Sequence, residues 1–287
     1  MKTFRICLTA VCCCLVFGSA GCSRFGAREK ELPTLENRED FHWPEGKRAA
    51  ISLTFDDARV SQTDTGLPIL DEYGVKATFY VSMNSLEKRL AAWKKAVANG
   101  HEIGNHTVAH PCSGNFPFID DRALEDYTLD RMRHELEQAN SIIEHLLGVR
   151  CVSFAYPCGQ KFVGRGRNLK SYVPLVAEQF LTGRGWMDEW ANDPAFCDMA
   201  QLMAMELDGK DFEQVKQIMD RTLANGGWLV FCGHDIGEGG RQTSLTSTIR
   251  SLCEYAADPA NGIWLDTVEA VAGHIVKQRS DINGIEN

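Results

Sequence analysis

From residue 47 onward, short apolar runs alternate with amphipathic stretches. Residues 49–55 form a run of apolar and β-branched side chains interrupted only by Ser52, the mark of a strand buried on both faces. Residues 67–73 suit a short helix ended by Gly74, and residues 77–81 a second strand. Ser85 stands where it would cap a helix through Ala98, stopped by Asn99-Gly100. Residues 101–105 read as a third strand, followed by a loop to about Asp121. A long helix to Leu147 then carries Leu124, Leu129, Met132, Leu136, Ala139, Ile143 and Leu146 along one side, before Gly148. Residues 152–156, 180–183, 202–207 and 228–232 read as four further strands, separated by helices near 171–179 and 211–224. A helix near 246–257, a short strand at 263–265 and a last helix to about Lys277 complete the chain. This alternation predicts an α/β class, with a parallel sheet of about seven strands wound into a single distorted (β/α) barrel.

The first 22 residues follow a different rule. Lys2 and Arg5 precede an apolar run, residues 6–17, and the small residues Gly18-Ser19-Ala20-Gly21 lead to Cys22. The pattern is that of a secretory signal, too short to span a membrane comfortably. Its end resembles a bacterial lipobox, with Ser19 where such signals prefer Leu, and implies lipidation at Cys22. The expected layout is a signal peptide over 1–21, a lipid-anchored flexible linker over 22–45, a catalytic domain over 46–277 and a tail over 278–287. The product is an exported lipoprotein held at the membrane. A net charge of −9 without a basic tract argues against a nucleic-acid partner. Of 11 cysteines, Cys112, Cys151, Cys158, Cys197, Cys232 and Cys253 lie past the signal. Six cysteines allow 15 pairings, and the sequence selects none of them.

The chemistry collects at strand ends. Asp56-Asp57 closes the first strand, His106 and His110 follow the third, Pro157-Cys158-Gly159 the fourth and His234-Asp235 the seventh. In a parallel barrel these ends open on one face. Two imidazoles and a carboxylate there make a three-ligand metal set with open positions. The His-Glu-x-x-His and Gly-x-Ser-x-Gly patterns are absent, which removes a zincin and a serine esterase.

In this order, Thr54-Phe55-Asp56-Asp57, His106-Thr107-x-x-His110-Pro111, Pro157-x-Gly159 and His234 resemble the motifs of the polysaccharide deacetylases, the NodB-homology domain of carbohydrate esterase family 4. The resemblance covers residues 47–275. It implies Asp57, His106 and His110 as ligands of a divalent metal, zinc first, with cobalt or nickel also suited to the donors. It implies Asp56 as general base, His234 as general acid, and the Cys158 backbone N–H as an oxyanion donor. The substrate would be an acetylated poly- or oligosaccharide, either N-acetylglucosamine-containing or O-acetylated. Two departures stand out. Ala155 occupies the place of the family's third-motif Arg, which orients the catalytic Asp, and Arg184 is the candidate replacement. The fourth-motif Asp that orients the acid His is not recognisable, and Asp208 or Asp188 is available for its role. A carbohydrate-binding lipoprotein that keeps the fold without turnover is the competing reading.

Overall fold

The structure, a computed structural model, describes residues 34, 35 and 38–282. The expected signal peptide and Cys22 lie outside the described residues. Eight strands form one sheet: β1 (Ala49–Asp56), β2 (Thr78–Val81), β3 (Glu102–Asn105), β4 (Ser153–Ala155), β5 (Thr182–Arg184), β6 (Met205–Glu206), β7 (Trp228–Gly233) and β8 (Ile263–Leu265). They run in the order β5-β4-β3-β2-β1-β7-β6, and β8 lies beside the first half of β1. Every ladder in the sheet is parallel. The outer edges approach each other, because Leu202 N–H donates to Gly183 O at 2.8 Å and Gly185 N–H to Leu202 O at 2.8 Å. The sheet therefore curls into a distorted barrel of the expected kind.

Helices of six residues or more accompany the strands: α1 (Leu67–Glu72), α2 (Leu90–Ala98), α3 (Leu129–Leu147), α4 (Val173–Gln179), α5 (Phe212–Asn225), α6 (Thr246–Ala257) and, after the last strand, α7 (Val268–Ile282). Side chains alternate across a strand, so the sheet has two distinct faces. Ile51, Leu53, Phe55, Phe79 and Phe154 point outward to Trp93, Met132, Leu136 and other helix residues, forming the main core. In-register partners share the opposite face. There one layer holds Thr54, Thr78 and Glu102, the next holds Asp56, Tyr80, Gly104, Ser153 and Thr182, and Ala155 and Arg184 lie one layer further toward the carboxyl ends. This inner face is polar or small next to the strands' carboxyl ends. Gly104 has no side chain for a simple reason: a Cβ would stand 2.4 Å from the Tyr80 ring. At the other end of the barrel α7 packs Val268, Val271, Ala272 and Ile275 against Ala50, Trp228, Val230 and Leu202.

Four expectations change. Ser85 lies inside a short helical turn, Met83–Leu86, and caps nothing, because α2 begins only at Leu90. The long helix starts at Leu129, where the Thr128 hydroxyl accepts the Arg131 N–H, and Leu124 sits on a separate turn before it. Part of the expected linker is packed. Leu35 and Trp43 are buried, and the Trp43 indole donates to Gly226 O at 2.9 Å. Burying an aromatic ring against Trp264 and His274 outweighs the polar composition around it. The last helix also extends to Ile282, beyond Lys277.

Candidate active site

β1 delivers Asp56 into the barrel as its last residue, and the next two residues, Asp57 (φ 76°) and Ala58 (φ 53°), take left-handed backbone. That turn carries Asp57 out of strand geometry while Asp56 stays buried. Facing Asp56 is the guanidinium of Arg184, fully buried, with Nη2 donating to Asp56 Oδ1. Arg184 also donates to Gly185 O at 2.7 Å and stacks over the Tyr80 ring at 4.7 Å. Ala155 and Arg184 are register partners on β4 and β5. The cation thus comes from one strand further along, at the level where the family's Arg was expected. Burial alone pushes the Asp56 carboxyl up. The charges of Arg184, His106 and His234 reverse this and hold it far below the usual carboxylate range.

Asp57, His106 and His110 come together. His106 Nε2 and His110 Nε2 stand 3.7 and 3.6 Å from Asp57 Oδ1. Donors about 2.1 Å from one tetrahedral ion stand about 3.4 Å apart, so the set fits a divalent metal. Tautomers agree: His106 Nδ1 lies 2.9 Å from Ala155 O, which can only accept, leaving Nε2 as the free lone pair. Burial and the neighbouring His106 hold the His110 imidazole down at about 4. The segment between the two histidines is a loop in which Thr107 (φ 64°) and His110 (φ 50°) are left-handed. It is held by Asn105 Oδ1, which accepts from Thr107 N, and by Glu135 of α3, whose Oε2 accepts from Val108 N and Ala109 N at 3.1 and 2.9 Å.

His234 follows β7. Its Nδ1 lies 2.7 Å from Asp208 Oδ2, and its backbone N–H donates to Asp208 Oδ1 at 3.1 Å. Nε2 is left toward the mouth. Burial lowers the imidazole pKa, but the Asp208 hydrogen bond and the charges of Asp56 and Asp208 raise it further, and the net shift is upward. Asp188 is engaged elsewhere, accepting the Ala204 N–H at 2.9 Å. The Trp186 ring meets the His234 ring edge-on at 5.4 Å. Trp190 lies at the far end of the barrel, because Asn192 pairs with Trp228 at the start of β7. There it stacks under Arg221 beside a cavity of about 160 Å³.

Cys158 has left-handed backbone (φ 54°), and among the described residues its N–H donates to no protein acceptor. Its side chain forms a disulfide with Cys112. Sequence reasoning also missed Arg59, which donates to Asp57 Oδ2 at 3.0 and 3.2 Å and to Asp235 Oδ2 at 2.7 Å. It missed Gln62 too, whose buried Nε2 joins the carbonyls of Asp56 and His234 at 2.5 and 2.8 Å. These contacts span up to 176 residues, and no local spacing signals them. His101 is buried, accepting Ala77 N–H at Nδ1 and facing Asp71.

Known proteins share parts of this chain. The model of the family Polysaccharide deacetylase matches residues 44–170. A gellan lyase from a Bacillus species is 27% identical over 235 residues, 74% of this chain but 9% of that protein. A peptidoglycan-N-acetylglucosamine deacetylase from Bacillus cereus is 31% identical over 102 residues, 35% of this chain and 33% of its own length. The chain thus spans a third or less of these relatives. A Mycobacterium smegmatis crystal structure, assigned to the polysaccharide deacetylases, shares the fold with a TM-score of 0.57 at 18% identity, covering 83% of this chain and 94% of that one. Residues 44–170 thus resemble the polysaccharide deacetylases in sequence, and the sheet shares its fold with a solved structure assigned to them.

Proposed function

We propose that this chain is a metal-dependent hydrolase that removes acetyl groups from an acetylated poly- or oligosaccharide. The observation that carries the reading is the split between two adjacent carboxylates. Asp56 is buried against Arg184 and kept ionised, while Asp57 faces two imidazole nitrogens. Asp57, His106 and His110 would hold a divalent cation, zinc first. Such an ion supplies polarisation of the acetyl carbonyl and lowers the pKa of water to about 7 in favourable sites. Asp56 accepts the proton of the attacking water. Its ion pair makes it a weak base, which is why the acidity of that water matters. The Cys158 N–H would donate to the developing oxyanion. His234 gives its Nε2 proton to the departing amine or alkoxide, and Asp208 fixes the tautomer that makes this possible. Cys22 would tether the enzyme by lipid outside the cytoplasm, toward acetylated wall or capsular polymers.

The test is acetate release by purified protein from chito-oligosaccharides, peptidoglycan and acetyl-xylan, with and without a chelator. Release that a chelator abolishes and zinc restores is expected. Silence of metal-replete protein on all three substrates would leave the non-catalytic, carbohydrate-binding reading. Asp56→Asn should retain the metal and lose about 10²–10⁴-fold in turnover.

A further inference from the structure

We propose that the Cys112–Cys158 disulfide is a positioning device for the active site, so that metal affinity and turnover depend on the thiol state of this one pair. The inference rests on the deacetylase reading for its turnover arm only. Cys112 is fully buried two residues after His110, and Cys158 carries the N–H assigned to the oxyanion. The bond spans 46 residues of sequence and ties the loop after β3 to the loop after β4.

Both loops need such a tie. His110 (φ 50°) and Cys158 (φ 54°) are non-glycine residues in left-handed backbone, a conformation that persists only where surrounding structure enforces it. The disulfide enforces it at both ends at once. Cys112 Sγ also lies 3.6 Å from His110 Nδ1, so the sulfur seats the outer nitrogen of the ring while Nε2 faces Asp57. A second tie joins the same loops: Ser113 N–H donates to Gln160 Oε1 at 2.7 Å. Cys151, Cys197, Cys232 and Cys253 are free, so among the described residues reduction acts on one bond. That reduction takes two electrons and two protons to give two thiols. A trialkylphosphine supplies the electrons and leaves as its oxide, its oxygen and the protons coming from water.

Free thiolates would themselves take up zinc. The metal arm therefore uses Cys112→Ala/Cys158→Gly, which has no thiol in the pair and whose glycine suits the left-handed backbone. Cys112→Ala alone, which leaves residue 158 unchanged, is the second variant. Zinc Kd is read by competition with a chromophoric chelator, and kcat and KM by acetate release, at a temperature where circular dichroism shows the full native signal. Losing a supporting contact around a metal ligand typically costs about 10–100-fold in affinity or activity. The double variant should accordingly bind zinc at least about tenfold more weakly, and both variants should lose at least about tenfold in kcat, with KM within about threefold. The phosphine should lower kcat in the wild type and leave the double variant unaffected. A zinc Kd in the double variant and a kcat in both variants within about twofold of wild type would overturn the proposal. Failure of the disulfide-bonded wild type to release acetate would sink the functional reading instead, because zinc Kd still reports on the disulfide.

Discussion

Arg184 is the residue on which the candidate site depends most. A buried carboxylate needs a buried cation, and removing one member of such a pair costs about 3–5 kcal/mol because the other charge is left behind. Arg184→Ala should destabilise the fold by that order and let the Asp56 carboxyl rise. Ala155 is its register partner, about 4.8 Å away across the ladder, so the position is open to a side chain from either strand. Arg184→Ala combined with Ala155→Arg should recover much of both stability and kcat, measured by denaturant midpoints and acetate release. Recovery of neither would mean that Arg184 matters through packing on Tyr80 and not through its charge. His234 makes a second case. Its imidazole pKa stands above the ordinary value near 6.5 through the Asp208 hydrogen bond and the charges of Asp56 and Asp208. The protonated acid is therefore present below that raised value and lost as pH rises through it. Asp208→Asn removes two of these causes and should move the alkaline limb of the kcat–pH profile toward acid, while kcat also falls. An unmoved limb would assign the titration to another group. In the sequence Arg184 and Asp208 were legible only as polar residues at strand ends. Their partners are 128 and 26 residues away, and proximity of that kind belongs to the fold.

Elements were legible in proportion to how far local chemistry decides them. β1, β7, α5 and α6 are close to their expected spans, because continuous apolar runs and capping residues such as Asp211 act within a few positions. β4, β5 and β6 are two or three residues long, and their limits are set by pairing with neighbours. The short parallel pair Asp235–Gly237 and Thr243–Leu245 was invisible for the same reason. The amphipathic pattern of α3 gave its buried side, Met132, Leu136, Ala139 and Ile143, but not the purpose of its rim. Glu135 lies beside that side and accepts two N–H groups from the loop between the metal-facing histidines, as well as the Tyr127 hydroxyl. Glu135→Ala leaves those donors without their acceptor. It should weaken zinc binding by about 10–100-fold while costing only about 1–3 kcal/mol in stability. Calorimetric titration with zinc separates the two effects. An unchanged Kd would show that Asn105 and Thr107 suffice to hold the loop.

At the scale of the whole molecule, the barrel has a closed end and an open one, and stability is divided accordingly. α7 and the packed residues around Trp43 bury apolar side chains at one end, while the other gathers Asp56, Asp57, His106, His110, Asp208 and His234. Like charges and imidazoles crowded at the mouth favour a bound cation, and a cation that binds only the folded state stabilises it by mass action. The ligands are ready at neutral pH: the His110 imidazole, held down at about 4, has no proton to release, and Asp57 is ionised. At zinc about 1,000-fold above its Kd the gain is about 4 kcal/mol. For a domain of this size each kcal/mol moves Tm by about 2–4 °C, so zinc should raise Tm by about 8–16 °C over chelator-treated protein. The same zinc should leave His106→Ala almost unmoved, since that variant keeps two ligands of three. A rise of equal size in His106→Ala would mean that zinc binds elsewhere on the chain, and Asp57, His106 and His110 would lose their assignment.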